Sequence, residues 1–216
     1  MSPKPADPAV RTALLETAAH LIATEGLGKL TLRRLASEVG TSTMAVYTHF
    51  GGMDELRRAV RREGFARLGA HLSAVERTND PVADYIVLGW AYYTTGAENP
   101  DLYRAMFMDG PVDEADAGMG VETFEQCVAA VQRCIDAGRF SVDNAVDAAM
   151  QQWAMMHGIV SLQIAHLVQP AEALGCLTKA IDVFTAYGDD RRALGRSRKR
   201  AFDRIAPIDG RRGWRN

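Results

Sequence analysis

Apolar residues recur at spacings of three and four along almost the whole chain, and no stretch alternates over the length of a strand. A stripe at that spacing lies on one face of a helix, so the pattern restricts the chain to an all-α fold. Val10, Leu14, Ala18, Leu21 and Ile22 form the first stripe, which stops at Gly26, where a glycine can end a helix. Thr31 is placed to cap a short helix from Leu32 to Glu38. Gly40 then breaks the chain, and Thr41 or Ser42 can cap a second short helix to about His49. A long helix starts near Met53, with Met53, Leu56, Val60, Leu68, Leu72 and Val75 on one side and Arg57, Arg58, Arg61 and Arg62 on the other. Asn79-Asp80-Pro81 opens a helix through Trp90, Tyr92 and Tyr93 that is apolar on every face and must lie in the interior. Asn99-Pro100 opens a short helix to Met108, and residues 109–120 read as a Gly/Pro/Asp loop. Val121, Phe124, Val128, Val131 and Ile135 mark the next helix, ending before Gly138. Ser141 is expected to cap a helix of about 27 residues that Pro170 terminates. Leu174, Leu177, Ile181 and Phe184 mark the last one, to about Tyr187. The expectation is about nine helices and no strand.

At 216 residues, 47% hydrophobic and 24% charged, the chain has the composition of an ordinary globule, which excludes disordered and fibrous classes. The three cysteines, Cys127, Cys134 and Cys176, are an odd number and too few to staple it. Cys127 and Cys134 on one helix would stand ~10.5 Å apart, beyond disulfide reach. No run reaches the ~18–20 apolar residues of a membrane span, and Met1-Ser2-Pro3-Lys4-Pro5 lacks the apolar stretch of a secretion signal, so the expectation is a cytoplasmic protein without membrane contact. The net charge of −2 conceals a sharp division. Residues 1–77 carry 11 basic against 8 acidic side chains, 78–190 carry 4 against 17, and 191–216 carry 10 against 2. Such asymmetry suggests a nucleic-acid or other anionic contact at one end and an acidic body elsewhere.

Residues 31–50 are the most specific stretch. Leu32, Leu35 and Ala36 face inward, and Ala36 is small enough for close helix contact. Gly40 permits the sharp turn of a helix-turn-helix. Val46 and Phe50 would anchor the second helix, leaving mostly small or polar residues to enter a major groove ~12 Å wide. The segment Thr31-Leu32-Arg33-Arg34-Leu35-Ala36 through Gly40-Thr41-Ser42 to Val46-Tyr47-Thr48-His49-Phe50, followed by Asp54-Glu55-Leu56, resembles the DNA-binding domain of the TetR family of bacterial transcriptional regulators. The resemblance implies a three-helix DNA-binding head and a homodimer whose recognition helices enter successive major grooves of a palindromic, double-stranded operator. It places Thr43, Met44 and Ala45 at base edges, with Thr31, Arg33, Thr41, Tyr47, Thr48 and His49 also at the DNA. One position departs from the family pattern: methionine, at 53, stands where lysine is usual before Asp54-Glu55-Leu56. A phosphate contact there would need backbone N–H groups, or Arg57 and Arg58 one turn later.

The remainder resembles the ligand-binding and dimerisation bodies of such regulators. Asn99-Pro100-Asp101-Leu102-Tyr103-Arg104-Ala105-Met106-Phe107 is similar to a recurrent element of them, and Trp153-Ala154-Met155-Met156-His157-Gly158 resembles the Trp-x-x-x-His-Gly signature of one C-terminal subgroup. Phe65, Trp90, Tyr93, Tyr103, Met106, Phe107, Phe124, Trp153, Met156 and His157 are candidate ligand contacts on helices expected to surround one interior; each can equally serve as core. Few charges lie on these helices, so the expected inducer is a small hydrophobic or aromatic molecule anchored by Tyr93, Tyr103 or His157. The last two long helices are expected to pair with their symmetry mates, with Ala145, Ala148 and Ala149 permitting close approach.

No phosphate loop, nucleophile elbow, metal-binding spacing or histidine cluster is present, so neither an enzyme, a cofactor nor a metal is expected. The alternatives are a redox-responsive regulator acting through Cys127, Cys134 or Cys176, and an enzyme with an unrecognised site. The expected divisions are a head at 1–52, a body at 53–190 linked by the long helix, and a basic tail at 191–216. That tail reads first as a solvated, poorly ordered end; a last basic helix and an auxiliary DNA contact are the other readings, and pairing with the acidic body is the better functional alternative.

Overall fold

The computed structural model describes residues 7–108 and 114–209. The first six residues, the 109–113 part of the expected loop, and 210–216 of the tail lie outside the described residues. Among the described residues the regular elements are all helical: α1 (Pro8–Glu25), α2 (Leu32–Val39), α3 (Thr43–Phe50), α4 (Met53–Ser73), α5 (Pro81–Glu98), α6 (Pro100–Phe107), α7 (Glu114–Ala117), α8 (Val121–Asp136), α9 (Ala145–Ile164), α10 (Pro170–Ala180) and α11 (Arg191–Asp209), with 3-10 turns at Leu27–Lys29 and Ile181–Thr185. They form two units, Met1–Arg67 with Asn99–Gly120 and Leu68–Glu98 with Val121–Asn216. The first unit thus includes α6, α7 and most of α4, beyond the boundary drawn from sequence at residue 52.

In the first unit, α1 starts where the Asp7 carboxylate accepts from the Ala9 N–H at 2.9 Å and Pro8 fills a first-turn position that needs no donor. Leu14, Ala18, Leu35, Val46, Leu56 and Val60 are fully buried in one cluster that ties α1 to α2, α3 and α4. Leu102 and Ala105 bring α6 onto the same core. Polar contacts fix its register: Arg104 Nη1 donates to Ala23 O at 3.2 Å, and the His20 ring lies 2.9 Å from the Asp101 carboxylate.

The second unit is organised around α5. Its residues 81–88 are all buried, as an apolar surface on every side requires, and α8, α9 and α11 pack on it. Phe184 stacks on Tyr85 with centroids 5.4 Å apart and also meets Phe140 at 5.2 Å; such pairs add roughly 0.5–1.5 kcal/mol beyond their buried area. Gly188, at φ 100°, passes so close to Ser141 that a Cβ there would overlap its hydroxyl oxygen. The Ser141 N–H donates to Tyr187 O at 2.7 Å.

Several sequence expectations are corrected in this unit. Ser141 makes that tertiary bond and does not cap α9; Asn144 caps it, accepting from the Val146 N–H at 2.8 Å. At its other end α9 stops at Ile164, because His166 adopts a left-handed backbone (φ 57°) and the Leu167 N–H closes onto Leu162 O at 2.9 Å. The expected single long helix to Pro170 is therefore shorter at both ends. Residues 191–209 are not a solvated, poorly ordered end. Asp190 accepts from the Ala193 N–H at 2.9 Å and starts α11, whose Leu194, Ser197, Ala201 and Ile205 are buried in the second unit. Ala145, Ala148 and Ala149, expected at a symmetry mate, are buried within the protomer.

Candidate nucleic-acid interface

The local chemistry of residues 31–50 sets the geometry of the reading head. Thr31 has an extended backbone, and its hydroxyl accepts from the Arg34 N–H at 3.2 Å, so α2 begins at Leu32. Gly40 takes φ 71°, ψ 33°, a left-handed turn that an L side chain would strain, and its N–H closes on Ala36 O and Ser37 O. The Thr41 N–H also reaches Ala36 O, at 2.8 Å. Ser42 Oγ then accepts from the Ala45 N–H at 3.1 Å and starts α3 two residues after the break. An αL residue followed two positions later by an N-cap holds the two helices in the bent arrangement of a helix-turn-helix.

α3 separates its faces cleanly. Val46 and Phe50 are buried, and the Arg11 guanidinium lies 5.4 Å over the Phe50 ring. On the outer face Met44 is 70% exposed and Tyr47 51%, with Thr43 and Thr48 exposed beside them; Ala45 and His49 are half-buried at the edges. The Thr48 hydroxyl donates to Met44 O at 2.9 Å, which leaves its oxygen able to accept. Thr31 and Arg33 are exposed on α2, and Thr41 is half-buried in the turn.

Two side chains not singled out from sequence hold this head together. Arg34 grips Glu25 with both terminal nitrogens, each 2.5 Å from a carboxylate oxygen, and so ties the start of α2 to the end of α1. That hydrogen bond outweighs desolvation and lowers the Glu25 carboxyl below its usual range. Sequence spacing of nine gave no helix-face signal for the pair. The Met53 departure also resolves: Met53 packs against the core cluster, Arg57 lies 3.7 Å from Asp54, and Arg58 donates to Glu55 at 2.5 Å and lies 3.7 Å from buried Asp116. Both arginines proposed as substitutes for lysine thus have carboxylate neighbours within their own unit.

The candidate ligand residues divide between the two units. In the first, Phe107 meets Phe65 edge-on at 5.4 Å and Tyr103 at 4.8 Å, with buried Met106 on the same short helix. In the second, Trp90 lies 5.3 Å from Tyr93, and Trp153 lies 6.4 Å from Phe124 and 5.2 Å from His157. The Tyr93 hydroxyl donates to Gln163 Oε1 at 2.6 Å, so that proposed anchor is already committed. His157 Nδ1 is 3.4 Å from the Tyr92 hydroxyl, and burial lowers its pKa. Trp90 and Met156 line a small apolar cavity of about 50 Å³ together with Tyr85, Gln152, Leu177, Phe202 and Ile205. Phe202 and Ile205 come from the segment read from sequence as a solvated end. Among the described residues no group of three His, Cys, Asp or Glu side chains is arranged to hold a metal, and no helix is long and apolar enough to cross a membrane.

A helix-turn-helix with a polar, exposed recognition face, joined to a separate helical unit with an apolar cavity, defines a DNA-binding regulator of transcription. The comparisons agree. Residues 14–60 match the family described as "Bacterial regulatory proteins, tetR family", and residues 85–184 match "Tetracyclin repressor-like, C-terminal domain". An uncharacterised HTH-type transcriptional regulator of Mycobacterium tuberculosis is 25% identical over 182 residues, 84% of this chain and 82% of that one. Two solved structures share the fold. A regulatory protein of the tetR family from Rhodococcus RHA1 matches with a TM-score of 0.69 at 19% identity, covering 85% of this chain and 100% of the other. AmtR of Mycobacterium smegmatis matches with a TM-score of 0.70 at 16% identity, covering 95% and 98%. The chain belongs to the TetR family of bacterial transcriptional regulators and is not an enzyme.

Proposed function

We propose that the protein is a cytoplasmic homodimeric repressor that holds a palindromic operator until a small, mainly hydrophobic or aromatic molecule binds its helical body. The observation that carries this reading is the outer face of α3, where Thr43, Met44, Tyr47 and Thr48 stand exposed on a helix that Val46 and Phe50 fix from behind. Thr43, Met44 and Ala45, at its N-terminal end, meet base edges. Thr31, Arg33, Thr41, Tyr47 and His49 set the position on the backbone.

Two copies are needed to read a palindrome, and the outer face of α9 supports the pairing. Met150, Ala154 and Gly158 follow one another at spacings of four, with Val146, Met155 and Leu162 exposed at 46%, 39% and 45% beside them. Ala154 and Gly158 take the place of the inward-facing Ala145, Ala148 and Ala149 as the small residues that allow close approach. Release follows from linkage: a ligand that binds better to a dimer with wrongly spaced heads lowers operator affinity by that difference. The Trp153, His157 and Gly158 motif supports placing the body in the corresponding subgroup.

The redox alternative has less support, because burial raises the Cys127 thiol to about 11 and the Cys134 thiol to about 12, so neither is a thiolate near neutral pH. The reading is tested by selecting DNA fragments on the purified protein. Enrichment of a two-fold-symmetric sequence whose half-sites are about one helical turn apart, or a multiple of it, supports it, and enrichment of no sequence contradicts it.

A further inference from the structure

Residues 78–190 carry 17 acidic against 4 basic side chains, yet one cavity of the second unit has a wall of the opposite sign. It lies where the end of α4 and the turn after it meet α5 and α8, and its volume of about 350 Å³ falls within the ~300–1,000 Å³ of small-molecule sites. Three charged side chains line it, Arg77, Arg133 and Asp84. Asp84 is already saturated, since it accepts from the Thr78 N–H and hydroxyl and from Arg133 and Arg204. A second bond, to Thr78 O at 2.9 Å, holds the Arg133 guanidinium in place. Arg77 is exposed and makes no ion pair or hydrogen bond with any described residue, so the wall carries one uncompensated positive charge. On the same wall the Ser73 hydroxyl donates to Gln126 Oε1 at 3.3 Å, which commits the carboxamide oxygen and leaves the amide nitrogen to donate. Leu72, Val75, Leu88 and Ala130 supply an apolar remainder.

We propose that this cavity binds a small organic monocarboxylate, whose carboxylate pairs with Arg77 and accepts from Gln126 Nε2 while its apolar body lies on Leu72, Val75, Leu88 and Ala130. The planar fork of a guanidinium matches the two oxygens of a carboxylate, and a cavity wall with a net positive charge concentrates anions. A cation is repelled by that wall, and an inorganic anion leaves the apolar part of it uncovered. The site deepens the reading of the chain as a ligand-released regulator by giving the ligand class as an apolar molecule with one negative charge. It rests on that reading only for the consequence of binding.

The test is ¹⁹F NMR titration of the full chain with 4-fluorobenzoate and its neutral isostere 4-fluorobenzamide. Both bind saturably to the wild type, the benzoate more tightly. In Arg77→Gln the preference for the benzoate, as the ratio of the two affinities, falls roughly three- to tenfold, the size of one charge-assisted hydrogen bond reduced by solvent exposure. Arg192→Gln removes the same charge from an exposed side chain outside the wall and leaves the ratio unchanged. Ala130→Phe fills the cavity and abolishes binding of both probes. No saturable binding to the wild type, an unchanged ratio in Arg77→Gln, an equal fall in Arg192→Gln, or undiminished binding in a folded Ala130→Phe overturns the proposal. If Ala130→Phe fails to fold, the ratios in the two arginine variants decide. Gel-shift measurement on the same preparation keeps the two readings apart: probe binding without DNA binding removes the regulator reading and leaves the site, and DNA binding without probe binding does the reverse.

Discussion

Arg204 Nη1 donates to Asp84 Oδ1 at 2.7 Å across 120 positions of sequence. Asp84 is buried and accepts in addition from the Thr78 N–H and hydroxyl and from Arg133. Four residues earlier, Asp80 binds Ser197, Arg200 and Arg139 in the same way. Part of the basic charge at the end of the chain is therefore spent on carboxylates at the start of α5.

Replacing Asp84 by Asn leaves Arg133 and Arg204 without their counter-ion. The expected loss is about 2–4 kcal/mol, below the ~3–5 of a fully buried pair because the two arginines stay 29% and 26% exposed. Thermal unfolding with circular dichroism measures it, and a loss within ~0.5 kcal/mol would show the ring of bonds to be dispensable.

The same carboxylates predict an acid limb. Burial alone would raise Asp84, but the hydrogen bonds from Thr78, Arg204 and Arg133 outweigh it and hold the carboxyl below its usual range; burial is likewise outweighed at Asp80. A carboxyl with a lower pKa folded than unfolded stabilises fully above the unfolded value and loses that contribution as pH falls from about 4 toward the folded one. The melting temperature of the wild type should accordingly fall more steeply below about pH 4 than that of Asp84→Asn.

How far such features are legible depends on how local they are. Thr31, Gly40 and Ser42 act within four residues of themselves, so sequence alone places the turn and the Thr31 cap and narrows the second cap to Thr41 or Ser42. Ser141 was misread because its N–H goes to Tyr187 O, a partner no window around residue 141 contains. His166 ends α9 in a conformation normally reserved for glycine, so the helix was drawn too long. A basic helix at 191–209 paired with the acidic body is among the readings of the tail, but it ranks below a solvated end because the arginines look solvated until Asp80, Asp84 and Asp182 are set beside Arg200, Arg204 and Arg198.

Thiol chemistry should be confined to one residue. Cys176 is exposed, whereas Cys134 is buried and Cys127 half-buried with a raised pKa. Native protein treated with an aromatic disulfide reagent at pH 8 is expected to release about one equivalent of thiolate rapidly, with the other two appearing only on unfolding. Rapid release of three equivalents would return the redox reading to contention.

Dimerisation through α9 predicts that Ala154→Arg, which sets a long charged side chain on the exposed face, yields a monomer by light scattering at micromolar concentration with helicity retained. A dimer of unchanged stability would move the interface elsewhere.

The outer face of α3 is the surface on which operator reading depends. DNase I footprinting on DNA flanking the protein's own gene, with the wild type, Tyr47→Ala and Thr43→Val, tests it most directly. The wild type should protect a two-fold-symmetric segment, and both variants should lose protection while keeping the wild-type melting temperature, because Tyr47 and Thr43 are exposed and outside the core. Protection that survives both substitutions would contradict the assignment of α3 as the helix that reads the operator.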